Sequence, residues 1–225
     1  MICTYLGHST FLLETQNLRL LFDPTAVPAV EQSEKPLLVF FSHRHSDHYN
    51  GSLFSLSKDH AVTYILSDDI PSSDVPSDVQ VVWVAPHQRT QIGELQLETL
   101  RSTDEGVAFV LFLGEQVIYY AGDLNWWHWE GESEAYNTAM AEAYRKEMVR
   151  LPEQIDLAFV PVDPRLGSAY SFGVEGLLAQ STVETIVPMH MWDDYAVIER
   201  LQKKLAEKSN AIVALKRAPY TWRIK

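Results

Sequence analysis

The sequence predicts an α/β domain whose helices cover a two-sheet core. Short strand-like runs separated by turn residues fill the first half, while helical periodicity alternates with apolar runs in the second. Residues 2–6, 10–14 and 18–22 are rich in β-branched, aromatic or leucine side chains, with Gly7-His8-Ser9 and Thr15-Gln16-Asn17 between them, and predict a meander. The runs 37–41, 62–66, 79–84, 95–100, 107–113 and 117–121 continue the pattern, and Leu113-Gly114-Glu115-Gln116 predicts a hairpin turn. The proline- and serine-rich stretch 68–78 predicts a surface loop. From 133 to 151, Tyr136, Met140, Ala143, Tyr144, Glu147, Met148 and Leu151 recur at three and four, so an amphipathic helix is expected to end before Pro152. Residues 195–208 predict another helix, and the runs 157–162, 185–188 and 211–215 predict strands between helices.

With 225 residues and 46% hydrophobic content, residues 1–225 are expected to form a single domain. There is no run of about eighteen apolar residues and no basic leader before an apolar segment, so a cytoplasmic location is expected and a membrane is not. The net charge of −12 is spread along the chain. Nucleic acid is therefore not an expected partner, because releasing its counterions requires a basic stripe. Lys203, Lys204 and Lys208 read as one solvated helix face. The single cysteine, Cys3, lies in an apolar strand pattern and reads as packing rather than as a nucleophile.

His43-Arg44-His45-Ser46-Asp47-His48 follows the apolar run 37–41 and holds three of the eight histidines with a carboxylate. Imidazole with carboxylate suits zinc, manganese or iron, and this density of ligands leaves room for two ions. A water held between two such ions becomes a nucleophile at neutral pH. In an extended segment His43, His45 and Asp47 point to one side and His48 turns in from a bend, which the 200° separation of such residues on a helix would prevent. The bland alternative is a histidine cluster on a polar loop. Gly122-Asp123 follows the strand pattern 117–120, and His190 follows 185–188. Each alone reads as a turn or a structural histidine; beside the first cluster they extend a ligand set.

Taken in order, Thr4-Tyr5-Leu6-Gly7-His8-Ser9-Thr10, Phe22-Asp23-Pro24, the HxHxDH segment, Gly122-Asp123 and His190 resemble the metallo-β-lactamase superfamily of metal-dependent hydrolases. Their order and spacing look most like the branch that includes the ascorbate-phosphate lactonase-like proteins. The resemblance implies a four-layer αββα sandwich. It also implies a binuclear site, with His43 and His45 on one metal, Asp47, His48 and His190 on a second, and Asp123 bridging. One departure matters: the resembled family has a further histidine where this chain has Leu100-Arg101-Ser102-Thr103-Asp104-Glu105-Gly106. Asp104 could replace it, Ser102 or Thr103 could hold a water there, or the first site could stay weak; His87 reads as a loop residue.

Around these ligands, Trp126, Trp127 and Trp129 with His128 either wall a pocket or pack a helix on the sheet, and Trp126 and His128 would share a side. His128 is then a candidate hydrogen-bond donor to a metal ligand or a candidate substrate contact. Arg165 could hold an anionic substrate group, with an ion pair to Asp163 or Asp156 as the alternative. His8 could face the site or cap its own turn; His60 reads as surface. The expected function is hydrolysis of a small anionic ester, lactone or phosphoester by a metal-bound hydroxide that Asp47 orients, with two divalent ions, zinc first, then manganese or iron. The alternative is a non-catalytic metal- or ligand-binding protein on the same fold, motivated by the missing histidine. A nuclease would need a basic groove that is not seen. Aromatics near Trp222 could join subunits of a homo-oligomer.

Overall fold

The computed structural model describes residues 1–28 and 33–224. The chain divides into two compact units, Met1–Ala85 with Lys216–Lys225, and Pro86–Leu215. The first six strands are β1 (Ile2–Gly7), β2 (Thr10–Glu14), β3 (Arg19–Phe22), β4 (Leu37–Phe41), β5 (Val62–Ser67) and β6 (Gln80–Val84). The second unit holds β7 (Arg89–Ile92), β8 (Leu95–Arg101), β9 (Val107–Leu113), β10 (Gln116–Tyr120), β11 (Gln154–Pro161) and β12 (Thr182–Met189). Its helices are α1 (Glu134–Met148), α2 (Phe172–Gln180) and α3 (Ala196–Lys204), after which β13 (Tyr220–Arg223) returns to the first unit.

In the first unit the sheet order is β13-β1-β2-β3-β4-β5-β6. The predicted meander β1-β2-β3 is antiparallel, and β3 to β6 run parallel. All five residues of β4, Leu-Leu-Val-Phe-Phe, are buried, as a strand with parallel neighbours and both faces covered requires. Leu37, Val39 and Phe41 pack with Tyr64 and Leu66 of β5 and with Leu53 and Phe54 of the 3-10 segment Gly51–Lys58. Burying each such side chain stabilises the unit by about 1.5–3 kcal/mol. Cys3 is buried in β1, where burial pushes its thiol well up, so it is packing and not a nucleophile.

The second sheet runs β12-β11-β10-β9-β8-β7, antiparallel from β7 to β10 and parallel from β10 to β12. The predicted hairpin joins β9 to β10 with Leu113 opposite Gln116 and Gly114 at φ 61. Ser133 caps α1 by accepting from Tyr136 N, as a helix start at 133 requires.

Several elements differ from the sequence expectation. The buried stripe of α1 keeps the expected Tyr144, Glu147 and Met148 but adds Asn137 and Ala141, while Tyr136 is exposed. Two polar residues take places in that stripe because each is bonded: Asn137 to both backbone groups of Trp129, and Glu147 to His87 and Arg101 N. Residues 211–215 form no strand; after the 3-10 segment Ala206–Ala211, Ile212 makes a single bridge to Ile186. The strands β7 and β13 and the helix α2 were not expected, since Arg-Thr-Gln-Ile carries little β signal and α2 holds two glycines. Among the described residues no helix is long and apolar enough to cross a membrane.

Candidate metal centre

In the first unit, parallel neighbours β3 and β4 end side by side, Phe22 opposite Phe40, so the residues that follow them meet. Asp23 follows β3 and Ser42 to His48 follow β4. The Asp23 carboxylate, fully buried, accepts from Ser42 N (2.7 Å), Ser42 Oγ (2.6 Å) and His48 Nδ1 (2.7 Å). Ser42 Oγ also lies 2.9 Å from His43 Nδ1. One carboxylate thus orients His48 directly and His43 through a hydroxyl, which sets the direction of the Nε2 atom of His48.

The remaining donors of this unit gather beside these two rings. His43 Nε2 lies 3.1 Å from His45 Nδ1, and the rings of His43 and His48 are 4.3 Å apart. Beyond His43 the predicted extended alternation stops, because His45 O accepts from both His48 N and Tyr49 N and curls the segment into a turn. Asp69, just after β5, fixes this turn by accepting from Arg44 N at 2.9 Å. His8, at φ 49 in the β1–β2 corner, brings its Nε2 within 3.3 Å of Asp47 Oδ2, and the ligand atoms of His8, Asp47 and His48 lie within 4.8 Å of one another. The predicted residues His8, His43, His45, Asp47 and His48 are therefore one cluster of this unit.

The second unit repeats the device. Its parallel strands β10, β11 and β12 end together, and Asp123, Asp163 and His190 follow them. Gly122 at φ 50 makes the sharp turn that the sequence predicted, and Trp127 Nε1 donates to Asp123 O at 2.9 Å. Thr103 Oγ1 donates to Asn125 O at 2.6 Å, which ties the segment after β8 to this turn. Asp123 Oδ1 lies 3.6 Å from His190 Nε2. Asp104 is exposed at the tip of the turn between Ser102 and Gly106, with a carboxylate oxygen within 4.8 Å of one of Asp123. Ser102 accepts from Asp104 N and so shapes that turn.

Asp163 is to His190 what Asp23 is to His48. Fully buried, it accepts from His190 Nδ1 at 3.0 Å, from Trp192 Nε1 at 3.3 Å and from Arg165 Nε at 2.9–3.0 Å. Burial works to raise this carboxyl, but the bonds from His190 and Arg165 outweigh it and hold it at about 2. The ion pair to Asp163, the alternative weighed for Arg165, is thus present, on a guanidinium that stays half exposed. Neither Asp23 nor Asp163 was expected as an orienting group. Their shared signal was available: both are Asp-Pro dipeptides directly after an apolar strand.

The tryptophan segment divides between the two roles considered for it. Trp126 and His128 do share a side, both packing on Phe172, and Trp126 also meets Tyr144. They line a cavity of about 520 Å³ with Asn137, Ala141 and Arg145 of α1. Trp127 takes the other side, 5.6 Å from the His190 ring. His87 binds Glu147 at 2.9–3.0 Å and pins the start of this unit to α1, the structural part expected of a loop residue.

A family model described as the beta-lactamase superfamily domain matches residues 3–190. A UPF0173 metal-dependent hydrolase of Desulforamulus reducens is 28% identical over 142 residues, which is 55% of this chain and 62% of that protein. The match therefore spans less than two thirds of that relative. Igni18, a metallo hydrolase from the hyperthermophilic archaeon Ignicoccus hospitalis, is 18% identical with a TM-score of 0.67, covering 100% of this chain and 99% of that one. YhfI from Bacillus subtilis, a metallo-beta-lactamase fold protein, is 15% identical with a TM-score of 0.67, covering 99% of each chain. At these identities the likeness is one of fold, and it is the α/β fold expected from the sequence.

Proposed function

This chain belongs to the beta-lactamase superfamily, and we propose that it is a metal-dependent hydrolase of a small anionic ester, lactone or phosphoester. One observation carries the reading: two histidines in the segments after parallel strands, His48 and His190, each have Nδ1 fixed by a buried carboxylate, Asp23 or Asp163. That is the arrangement by which proteins set the tautomer and direction of a metal-binding imidazole. The donor set of imidazoles and carboxylates fits a divalent ion, zinc first, with manganese and iron served by the same ligand types. On the superfamily's motif, His43 and His45 would hold one ion with Asp104 in place of the histidine this chain lacks, Asp47, His48 and His190 a second, and Asp123 both. When bound, such ions supply Lewis acidity and acidify a coordinated water.

The chain's own residues do the rest. Asp47, beside His8 and partly exposed, is the group placed to orient an attacking water and accept its proton. His8 sets the direction of that carboxylate. The ascorbate-phosphate lactonase-like branch is part of the proposal, supported by the Gly7-His8 corner and the Phe22-Asp23-Pro24 motif. The net charge of −12 supports small substrates over nucleic acid, and the half-exposed Arg165 guanidinium supports an anionic group on them; a cytoplasmic location is part of the proposal. Metal analysis of protein purified without chelator, with hydrolysis of aryl ester, lactone and phosphodiester reporters, tests the reading. Two equivalents of metal and activity lost in His48→Ala and Asp123→Ala are expected. Metal-free protein, or variants that retain full activity, would overturn it.

A further inference from the structure

A closed circuit of ring contacts surrounds Asp163. From His190 it passes to Trp192 (5.5 Å), to the Arg165 guanidinium (4.5 Å), to Trp129 (5.7 Å), to Trp127 (6.2 Å, stacked) and back to His190 (5.6 Å). Within the circuit Trp127 is buried, but Trp192 and Arg165 are each 47% exposed. Both are held by the oxygen Asp163 Oδ2, which also accepts from His190. The exposed pair is therefore fixed in place relative to the histidine rather than loose on the surface.

The backbone that carries Trp192 is strained. Trp192 has φ of 51, a region that bulky L residues rarely occupy, near His190 at 62 and Asp193 at 61, residue types that enter it more readily. Burial does not recover that cost for Trp192, because nearly half of its surface faces solvent. Strain held in place by hydrogen bonds, on the loop that presents a ligand histidine, points to function. A flat apolar face joined to a guanidinium matches a ligand with an anionic group next to an unsaturated ring.

We propose that Trp192 is a specificity-determining residue of this site, stacking on a flat ring of the substrate while Arg165 takes an adjoining carboxylate or phosphate. This deepens the hydrolase reading and rests on it, and it narrows the substrate class to ring-bearing anions. Calorimetric titration with phenyl phosphate and with inorganic phosphate, on protein whose metal content is measured, separates the two ideas. Wild-type protein is expected to prefer phenyl phosphate by roughly tenfold, the scale of one good stacking contact. Trp192→Ala should erase the preference and leave phosphate binding and metal content unchanged, while Trp192→Phe should keep most of it. Arg165→Gln should weaken both ligands together. An unchanged preference in Trp192→Ala, or none in the wild type, overturns the role of Trp192, whereas metal-free protein strikes the hydrolase reading instead.

Discussion

The two units present the same device with different surroundings. In each, a buried aspartate in an Asp-Pro dipeptide after one strand orients a histidine in the segment that follows its parallel neighbour. Asp23 accepts from Ser42 and His48, both of them buried. Asp163 has a guanidinium and an indole that reach solvent. The first carboxylate is built into a core, where it holds Ser42 and His48. The second ties His190 to side chains that reach solvent, so on the proposed reading removing the first should damage folding more and removing the second should damage recognition more.

The largest effect is expected from Asp23→Ala. It leaves Ser42 N–H, the Ser42 hydroxyl and His48 Nδ1 without their acceptor in a buried place, which costs about 3–5 kcal/mol. Urea denaturation reads this as a fall in midpoint at constant slope, and metal content should fall with it as His43 and His48 lose their orientation. A loss below that of Asp163→Asn would break the comparison.

Asp163→Asn should cost less and should change how stability depends on pH. The folded carboxyl sits at about 2, below its ordinary value of 3.8, so its contribution is present above 3.8 and fades as pH falls from there toward 2. The shift corresponds to about 2 kcal/mol at neutral pH. Denaturant midpoints taken from pH 5 to pH 2 should fall more steeply in the wild type than in Asp163→Asn. Parallel curves would mean that this carboxylate is held no more tightly than in the unfolded chain.

Much of this was legible in the sequence, for reasons that differ by residue. The apolar run 37–41 could only be an inner strand, so the histidines after it had to stand at a strand end, and Gly122 announced its turn. Which side of the tryptophan segment faces His190 was not legible. Alternation correctly paired Trp126 with His128, but only tertiary packing on Phe172 decides that Trp127 is the one beside His190. The same limit hid the role of Asp163: its neighbour Arg165 is two residues away in sequence, while its other partners, His190 and Trp192, are reached only because β11 and β12 are parallel neighbours.

Arg165→Gln is the smallest and most discriminating change, because it makes the second carboxylate resemble the first. The guanidinium is half exposed, so solvent screening limits its worth to about 1 kcal/mol or less. His190 continues to donate to Asp163, so the acid transition should move up only part of the way from about 2 toward 3.8. Stability at neutral pH should change little, and so should metal content, since Nδ1 of His190 keeps its acceptor. A variant that loses metal here would show that Arg165 supports the ligand itself, and the division between a carboxylate that serves the core and one that serves recognition would fall.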